Sequence, residues 1–245
     1  MTWVLVAMLA GVGSGSALAA EPTVEELLRA TDDAARGDSS VATVVMEVKT
    51  SRYERTMKMQ SWSKGTEKSL IRILEPAKDA GVATLKVEDN LWNYLPKVDR
   101  TMKVPSGMMG SSWMGSHFTN DDLVREARLS EDFTYEVTSK PENGKGNYVI
   151  TVVPKPDAPV VWGKIVVEVR PDKVPVKQDF YDEDGELVRT MSYDDVQMVD
   201  GELMPLSFTL TPHDKPGEYT RMAMQDLKLD VDLDDSLFSL QALKK

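Results

Sequence analysis

The stretch "KVPVKQDFYDEDGELVRTMSYDDVQMVDGELMPLSFTLTP", residues 173–212, decides the fold. It holds two turn pairs, Asp184-Gly185 and Asp200-Gly201, sixteen residues apart. Asp and Gly tolerate the positive φ that a tight two-residue hairpin turn demands. The segments between and beside them are rich in Val, Thr, Tyr and Phe, the residues that suit a pleated, half-buried surface. The stretch therefore reads as an antiparallel meander.

Outward from it the same texture continues. Upstream lie "VATVVMEVKT", "ERTMKMQSW", "EKSLIRILE", "GVATLKVED", "NLWNYL" and "RTMKVP". After a gap come "FTYEVTS", "NYVITVVP" and "VVWGKIVVEVRP", with Asn143-Gly144 marking a further hairpin. Downstream, "YTRMAMQDLKLDVDL" alternates Leu227, Leu229, Val231 and Leu233 with Lys228, Asp230 and Asp232, which predicts a strand with one buried and one wet face. About a dozen short antiparallel strands need two packed sheets or one sheet curled on itself. No linker or low-complexity segment interrupts residues 20–245, so they read as a single domain. The helical pieces are few. Thr23 and Glu26 form a capping box for a helix over 23–36, with Gly37 as its stop, and Thr119 or Asn120 caps a second over 120–127.

The first nineteen residues, "MTWVLVAMLAGVGSGSALA", carry an apolar core from Val4 to Val12 and an Ala17-Leu18-Ala19 end. That is the pattern of a cleaved export leader, with cleavage before Ala20. The core is too short for a transmembrane helix. With no Cys anywhere, a mature chain is not itself a lipoprotein and has neither disulfides nor thiolate chemistry.

Composition removes further classes. A net charge of -11 argues against nucleic acid, whose phosphates demand clustered Lys and Arg. His117 and His213 are too few and too far apart to suggest a zinc site. Ser111 and Ser112 lie among glycines without a nucleophile elbow. "YDEDGEL" lacks the ligand spacing of a calcium loop. No catalytic constellation, metal site or cofactor is expected.

The feature left over is "PSGMMGSSWMGSHF", residues 105–118, an uncharged Gly- and Ser-rich loop carrying Met108, Met109, Trp113, Met114 and Phe118. Each large apolar side chain gains about 1.5–3 kcal/mol on full burial, so such a loop packs on something. It is either an ordinary loop tucked against the sheet or a movable lid over an apolar cavity. Met suits the second role, because its unbranched, polarisable side chain adapts to partners of varying shape. Candidate wall residues are Met57 and Met59, in phase on one strand, and Trp92 and Tyr94, in phase on another. Arg72, between apolar neighbours, is either an exposed charge or an inward donor that bonds the lid.

The segment "SLIRILEPAKDAGVATLKVEDNLWNYLPKVDRTMKVP" and the later "MGSHFTNDDLV" resemble the LolA-like outer-membrane lipoprotein-sorting proteins of Gram-negative bacteria. "EPAKDAG", "LWNYLPKVDR" and "MGSHFTNDDL" carry the likeness, which runs from about residue 40 to the end. The family pattern has Asp where this chain has His117. The resemblance implies an open, incomplete antiparallel β-barrel with a few short helices closing one mouth. It implies a soluble periplasmic carrier, not an enzyme, that acts as a chaperone shielding the acyl chains of lipoproteins or other lipids. Met57, Met59, Trp92, Tyr94, Met108, Met109, Trp113, Met114 and Phe118 would then contact acyl chains, and Arg72 would latch the lid. Its partners would be an inner-membrane exporter and an outer-membrane acceptor, and the protein would act as a monomer. A second reading on the same scaffold is a sensor or adaptor that binds an envelope protein or an export machine.

Overall fold

The computed structural model describes residues 21–34, 37–124, 128–143, 145–158 and 160–244. The leader, Gly144 of the Asn143-Gly144 pair and the expected ends of both helices, 35–36 and 125–127, lie outside the described residues. Thirteen strands form one antiparallel sheet. The first six are β1 (Ser39–Lys49), β2 (Glu54–Lys64), β3 (Lys68–Glu75), β4 (Ala83–Val87), β5 (Asn90–Leu95) and β6 (Arg100–Lys103). The other seven are β7 (Phe133–Ser139), β8 (Tyr148–Pro154), β9 (Lys164–Val169), β10 (Pro175–Tyr181), β11 (Leu187–Val199), β12 (Glu202–Pro212) and β13 (Tyr219–Leu229). Each run is a meander, and the two are stitched by β1 against β13, so β6 and β7 become the outer edges.

The sheet does not close, yet it curls. Ile73 on β3 and Leu210 on β12 belong to one buried cluster, with Met191 on β11 packed against it. At about 4.8 Å per strand, β3 and β11 would stand roughly 24 Å apart in a flat sheet. The result is an open, incomplete barrel with a concave inner face.

The turns follow the sequence. Asp200 and Gly201 both take left-handed φ, 48° and 92°, which is the primed hairpin turn between β11 and β12. Helix α1 (Val24–Asp32) begins at Thr23 with the capping box intact, Thr23 accepting from the Glu26 N–H and Glu26 accepting from the Thr23 N–H. It buries Leu27 and Leu28 against Ile150, Val152, Val167 and Val169, so it covers the β8–β9 part of the inner face. Helices α2 (Asn120–Val124) and α3 (Leu129–Asp132) are short. Among the described residues no helix is long and apolar enough to cross a membrane. One expectation is corrected: the alternating run near the end does not continue to residue 233. Asp226 and Asp230 take φ of 52° and 51°, and β13 stops at Leu229.

The chain beyond β13 turns onto the outer, convex face instead. Leu233, Phe238 and Leu243 join Leu70, Ala83 and Leu85 in a second core on that side. The two faces of β3 and β4 are thus both covered. Leu243 is fully buried, and its truncation leaves a cavity in that core. Leu243→Ala is expected to cost about 2–5 kcal/mol, read as a lower urea midpoint in cooperative unfolding. A change below about 0.5 kcal/mol, the scale of a surface substitution, would show that the tail does not hold the sheet.

Candidate functional site

Strand register arranges the inner face in rows. Met57 faces Met46, Met46 faces Met222, Met222 faces Phe208 and Phe208 faces Tyr193 across five neighbouring strands. Met59 and Ile73 lie beside this row, opposite one another on β2 and β3. Side chains alternate across a strand, so Lys58, Gln60 and Trp62 face outward.

The loop 105–118 lies over this apolar floor. Trp113 is 2% exposed and Phe118 8%, and both join Met46, Met57 and Met59 in one buried cluster, with Met114 packed against it. Phe118 meets Phe208 edge-on, ring centroids 6.1 Å apart, a favoured aromatic geometry. The Trp113 indole N–H donates to Thr84 Oγ1 at 3.1 Å, which satisfies the one polar atom that its burial would otherwise strand. Under Trp113 and Leu123 lies a cavity of about 230 Å³, walled by Val44, Met59, Ile71, Phe208, Met222 and Met224. A cavity of about 150 Å³ takes benzene, so this one has room for a short hydrocarbon segment while the loop is down.

Polar contacts hold the C-terminal end of the loop and the start of the helix that follows it. Near the β1–β2 turn, the Tyr53 hydroxyl donates to the Gly115 carbonyl at 2.6 Å. The loop bends there through Met114 and Gly115, both with positive φ, and a Cβ on residue 115 would stand 2.9 Å from that hydroxyl. Next to it, the His117 backbone N–H donates to Thr220 Oγ1 at 3.0 Å, and His117 Nδ1 lies 2.8 Å from the same oxygen. His117 Nε2 lies 3.0 Å from Glu218 Oε2, with side chains 6% and 12% exposed. Two residues further on, Thr119 and Asp122 bond each other reciprocally around the start of α2. Asp122 then accepts two bonds from Arg189, at 2.9 and 2.7 Å. The Arg189 guanidinium stands 4.5 Å from the Trp162 ring and 4.7 Å from Phe180, and aromatic faces attract cations. Burial alone pushes the Asp122 carboxyl up, but Arg189 and the Thr119 donors outweigh it and hold it below the usual range.

The expected contact residues divide. Met57, Met59, Trp113, Met114 and Phe118 come together in one packed cluster, of which Met59 and Trp113 line the cavity. Met108 is half exposed and Met109 half-buried, both on the outer limb of the loop. Trp92 and Tyr94 sit on the opposite side. Their register partners Leu85 and Ala83 face outward, and both rings pack on the C-terminal core. Arg72 is opposite Gln60 in the same outward phase. Its guanidinium donates to the carbonyls of Ala242 at 2.7 Å and Leu243 at 3.4 Å, so it fastens the tail and not the loop. These are corrections: phase within a strand is readable, but which face a strand pair presents depends on register.

Arg189 and the His117–Glu218 pair escaped the sequence reading. A signal for the first existed. Arg189 is in phase with Met191 and Tyr193 in "LVRTMSY", which points it inward, and Thr119-x-x-Asp122 is a capping pattern that advertises a buried carboxylate. For the second no local signal exists, since His117 and Glu218 are 101 positions apart.

A family model described only as an uncharacterized protein matches residues 65–245. No curated protein matches the chain. Several solved structures do. An outer membrane lipoprotein-sorting protein domain from Vibrio parahaemolyticus is 24% identical, with a TM-score of 0.73, over 90% of this chain and 98% of that one. A DUF1329 family protein from Desulfovibrio piger is 22% identical, with a TM-score of 0.78, over 89% and 97%. A LolA superfamily protein from Nitrosomonas europaea is 24% identical, with a TM-score of 0.70, over 90% and 99%. At these identities the likeness is one of fold, and it bears out the open barrel.

The loop's anchorage carries a pH signature. The Glu218 carboxyl is pushed down to about 2, first by its bond with His117, then by the Ser51 N–H that it accepts. A carboxyl depressed by folding adds stability that is whole above its unfolded value, about 4.3, and is lost as pH falls toward its folded value. Stability is therefore expected to decline between about pH 4.5 and 2. Urea unfolding of the Glu218→Gln variant should show a shallower decline across that window. Equal slopes for both proteins would remove Glu218 from the latch.

Proposed function

Because the chain belongs to the uncharacterized-protein family whose model spans residues 65–245, and has the fold of LolA-like lipoprotein-sorting proteins, we propose that it is a non-enzymatic periplasmic carrier of acyl chains. Residues 1–19 serve as the export leader, and residues 20–245 work as a single half-barrel domain and as a monomer. The cargo is a lipoprotein or another lipid, received at the inner membrane and delivered toward the outer one. The observation that supports this is the apolar cavity roofed by Trp113 and Leu123. Met108 and Met109, on the exposed limb, are the side chains best placed to meet a cargo first.

Burial of each CH₂ contributes about 0.8 kcal/mol. A sixteen-carbon chain therefore gains on the order of 10 kcal/mol, less the cost of association. The closed cavity is smaller than such a chain, so loading displaces the loop and breaks its bonds to Thr84, Thr220 and Arg189. Those contacts subtract from the net affinity. A carrier needs that subtraction, because cargo held at the full hydrophobic value would not be released.

The test is binding of a fluorescent sixteen-carbon fatty-acid probe to delipidated protein, beside lipid mass spectrometry of solvent extracts from the protein as purified. Trp113→Asp sets a charge in the roof of the cavity. It is expected to weaken probe binding at least about tenfold, about 1.4 kcal/mol, while circular dichroism and cooperative unfolding persist. No lipid in the extracts and no probe binding by the unsubstituted protein would refute the carrier reading. Global unfolding of Trp113→Asp would make Trp113 core and remove the lid.

A further inference from the structure

The cavity beneath the loop is not uniformly apolar, and its polarity runs along the strands in one direction. Beyond Met59 on β2, the next inward positions are Ser61 and Ser63. Register sets Ser63 opposite Ser40 on one side and Ser69 on the other, and Ser69 opposite Lys86. Four neighbouring strands thus place Ser40, Ser63, Ser69 and Lys86 in one row, all lining the cavity. The next row carries Ala42, Ser61, Ile71 and Thr84, and the row after it Val44, Met59 and Ile73. The wall passes from hydroxyl and ammonium to hydrocarbon within three rows.

Two features separate this from a chance run of small residues. Lys86 is only 3% exposed, and its Nζ donates to the Thr66 carbonyl at 2.5 Å. A buried ammonium is costly unless it is hydrogen-bonded, and this one is held at the polar end of the cavity. Among the described residues, the Ser61 and Ser69 hydroxyls have no hydrogen-bond partner, although both line the cavity. The Ser40 and Ser63 hydroxyls bond each other at 2.7 Å. The polar end offers donors to a ligand, and the other end, under Trp113 and Phe208, offers only hydrocarbon and aromatic surface.

We propose that the cavity takes an acyl chain in one orientation, with its carboxyl-derived oxygen on the Ser61–Ser69–Lys86 end and its methyl end under Trp113. The ligand class is an acyl lipid whose head presents either a free carboxylate or an ester carbonyl. Both are hydrogen-bond acceptors, so both match a wall of hydroxyl and ammonium donors. From Ser63 to Met59, both lining the cavity, the β2 wall advances about 13 Å, a distance that suits the carboxyl-side half of a long acyl chain laid along β2. This inference rests on the carrier reading and adds the direction and head chemistry of the cargo.

The experiment uses the unsubstituted protein and two photoreactive hexadecanoic acids, one with a diazirine at the terminal carbons and one with it beside the carboxyl. After irradiation, mass spectrometry locates the label by residue. The terminal probe is expected on Trp113, Phe208 or Met222, and the carboxyl-side probe on Ser61, Ser69 or Lys86. Identical labelling by the two probes, or the reverse pattern, overturns the orientation while leaving acyl binding intact. Absence of labelling by either probe overturns the carrier reading as well. A Ser61→Ala/Ser69→Ala variant supplies the second arm. Its affinity for hexadecanoic acid or for methyl hexadecanoate should fall about tenfold, the loss of one or two hydrogen bonds. A larger fall for the acid identifies a carboxylate head and an equal fall an ester carbonyl. Unchanged affinity for both overturns the head site.

Discussion

An unclosed, curled sheet of this size has an inner face that water must not wet, and the rest of the molecule answers to that constraint. The rows through Met57, Met46, Met222 and Phe208 present a continuous apolar surface, and among the described residues no second sheet covers it. Helix α1 shields one end through Leu27 and Leu28. The loop shields the other through Trp113 and Phe118. Between Trp113 and the floor the fit is incomplete, and the cavity is what the incomplete fit leaves. Protein interiors are ordinarily packed to crystal-like density, so space of this kind under a polar-anchored loop is a departure that invites a functional reading.

The same constraint explains the tail. In β3 and β4 the outward positions Leu70, Ala83 and Leu85 are apolar, while the inward ones mix Ile71 and Ile73 with Ser69, Thr84 and Lys86. An apolar outward row has to be covered if water is to be kept from it. The segment after β13 does this with Leu233, Phe238 and Leu243, and Arg72 fixes it through main-chain carbonyls. Arg72 thereby stabilises the wall from behind, while Arg189 acts from inside. Two arginines on the same sheet have opposite duties because one register places them on opposite faces.

Much of the fold was legible in the residues. The Asp-Gly pairs specify hairpins, Thr23 and Glu26 specify the start of α1, and the large apolar side chains of the uncharged loop require its burial. Spacing puts Met57 and Met59 on one face, and the size of Trp113 and Phe118 demands that they pack, as they do. What failed was the relation between strands. Trp92 and Tyr94 share a face with each other, as their spacing demanded, but the pairing of Leu85 with Trp92 turns that face outward. A shift of one residue in register would have reversed the outcome, and nothing local in "NLWNYL" reports register. Arg189 differs, since its phase with Met191 and Tyr193 on β11 is local information that points it inward.

The loop's anchors are distributed so that its position is coupled to the shape of the sheet. Tyr53 grips it from the β1–β2 turn, Thr84 from β4, Thr220 from β13 and Arg189 from β11. Those four points belong to both meanders, which otherwise meet through the β1–β13 seam. While the loop is down, it ties the two halves together across the hollow and sets their curvature. Were the loop to lift, as the proposed carrier role requires, the seam and the cores on either side would remain while the cross-tie was lost. Opening of the loop and widening of the hollow between β3 and β11 would then be coupled, because the same contacts that seat the loop also join the two meanders.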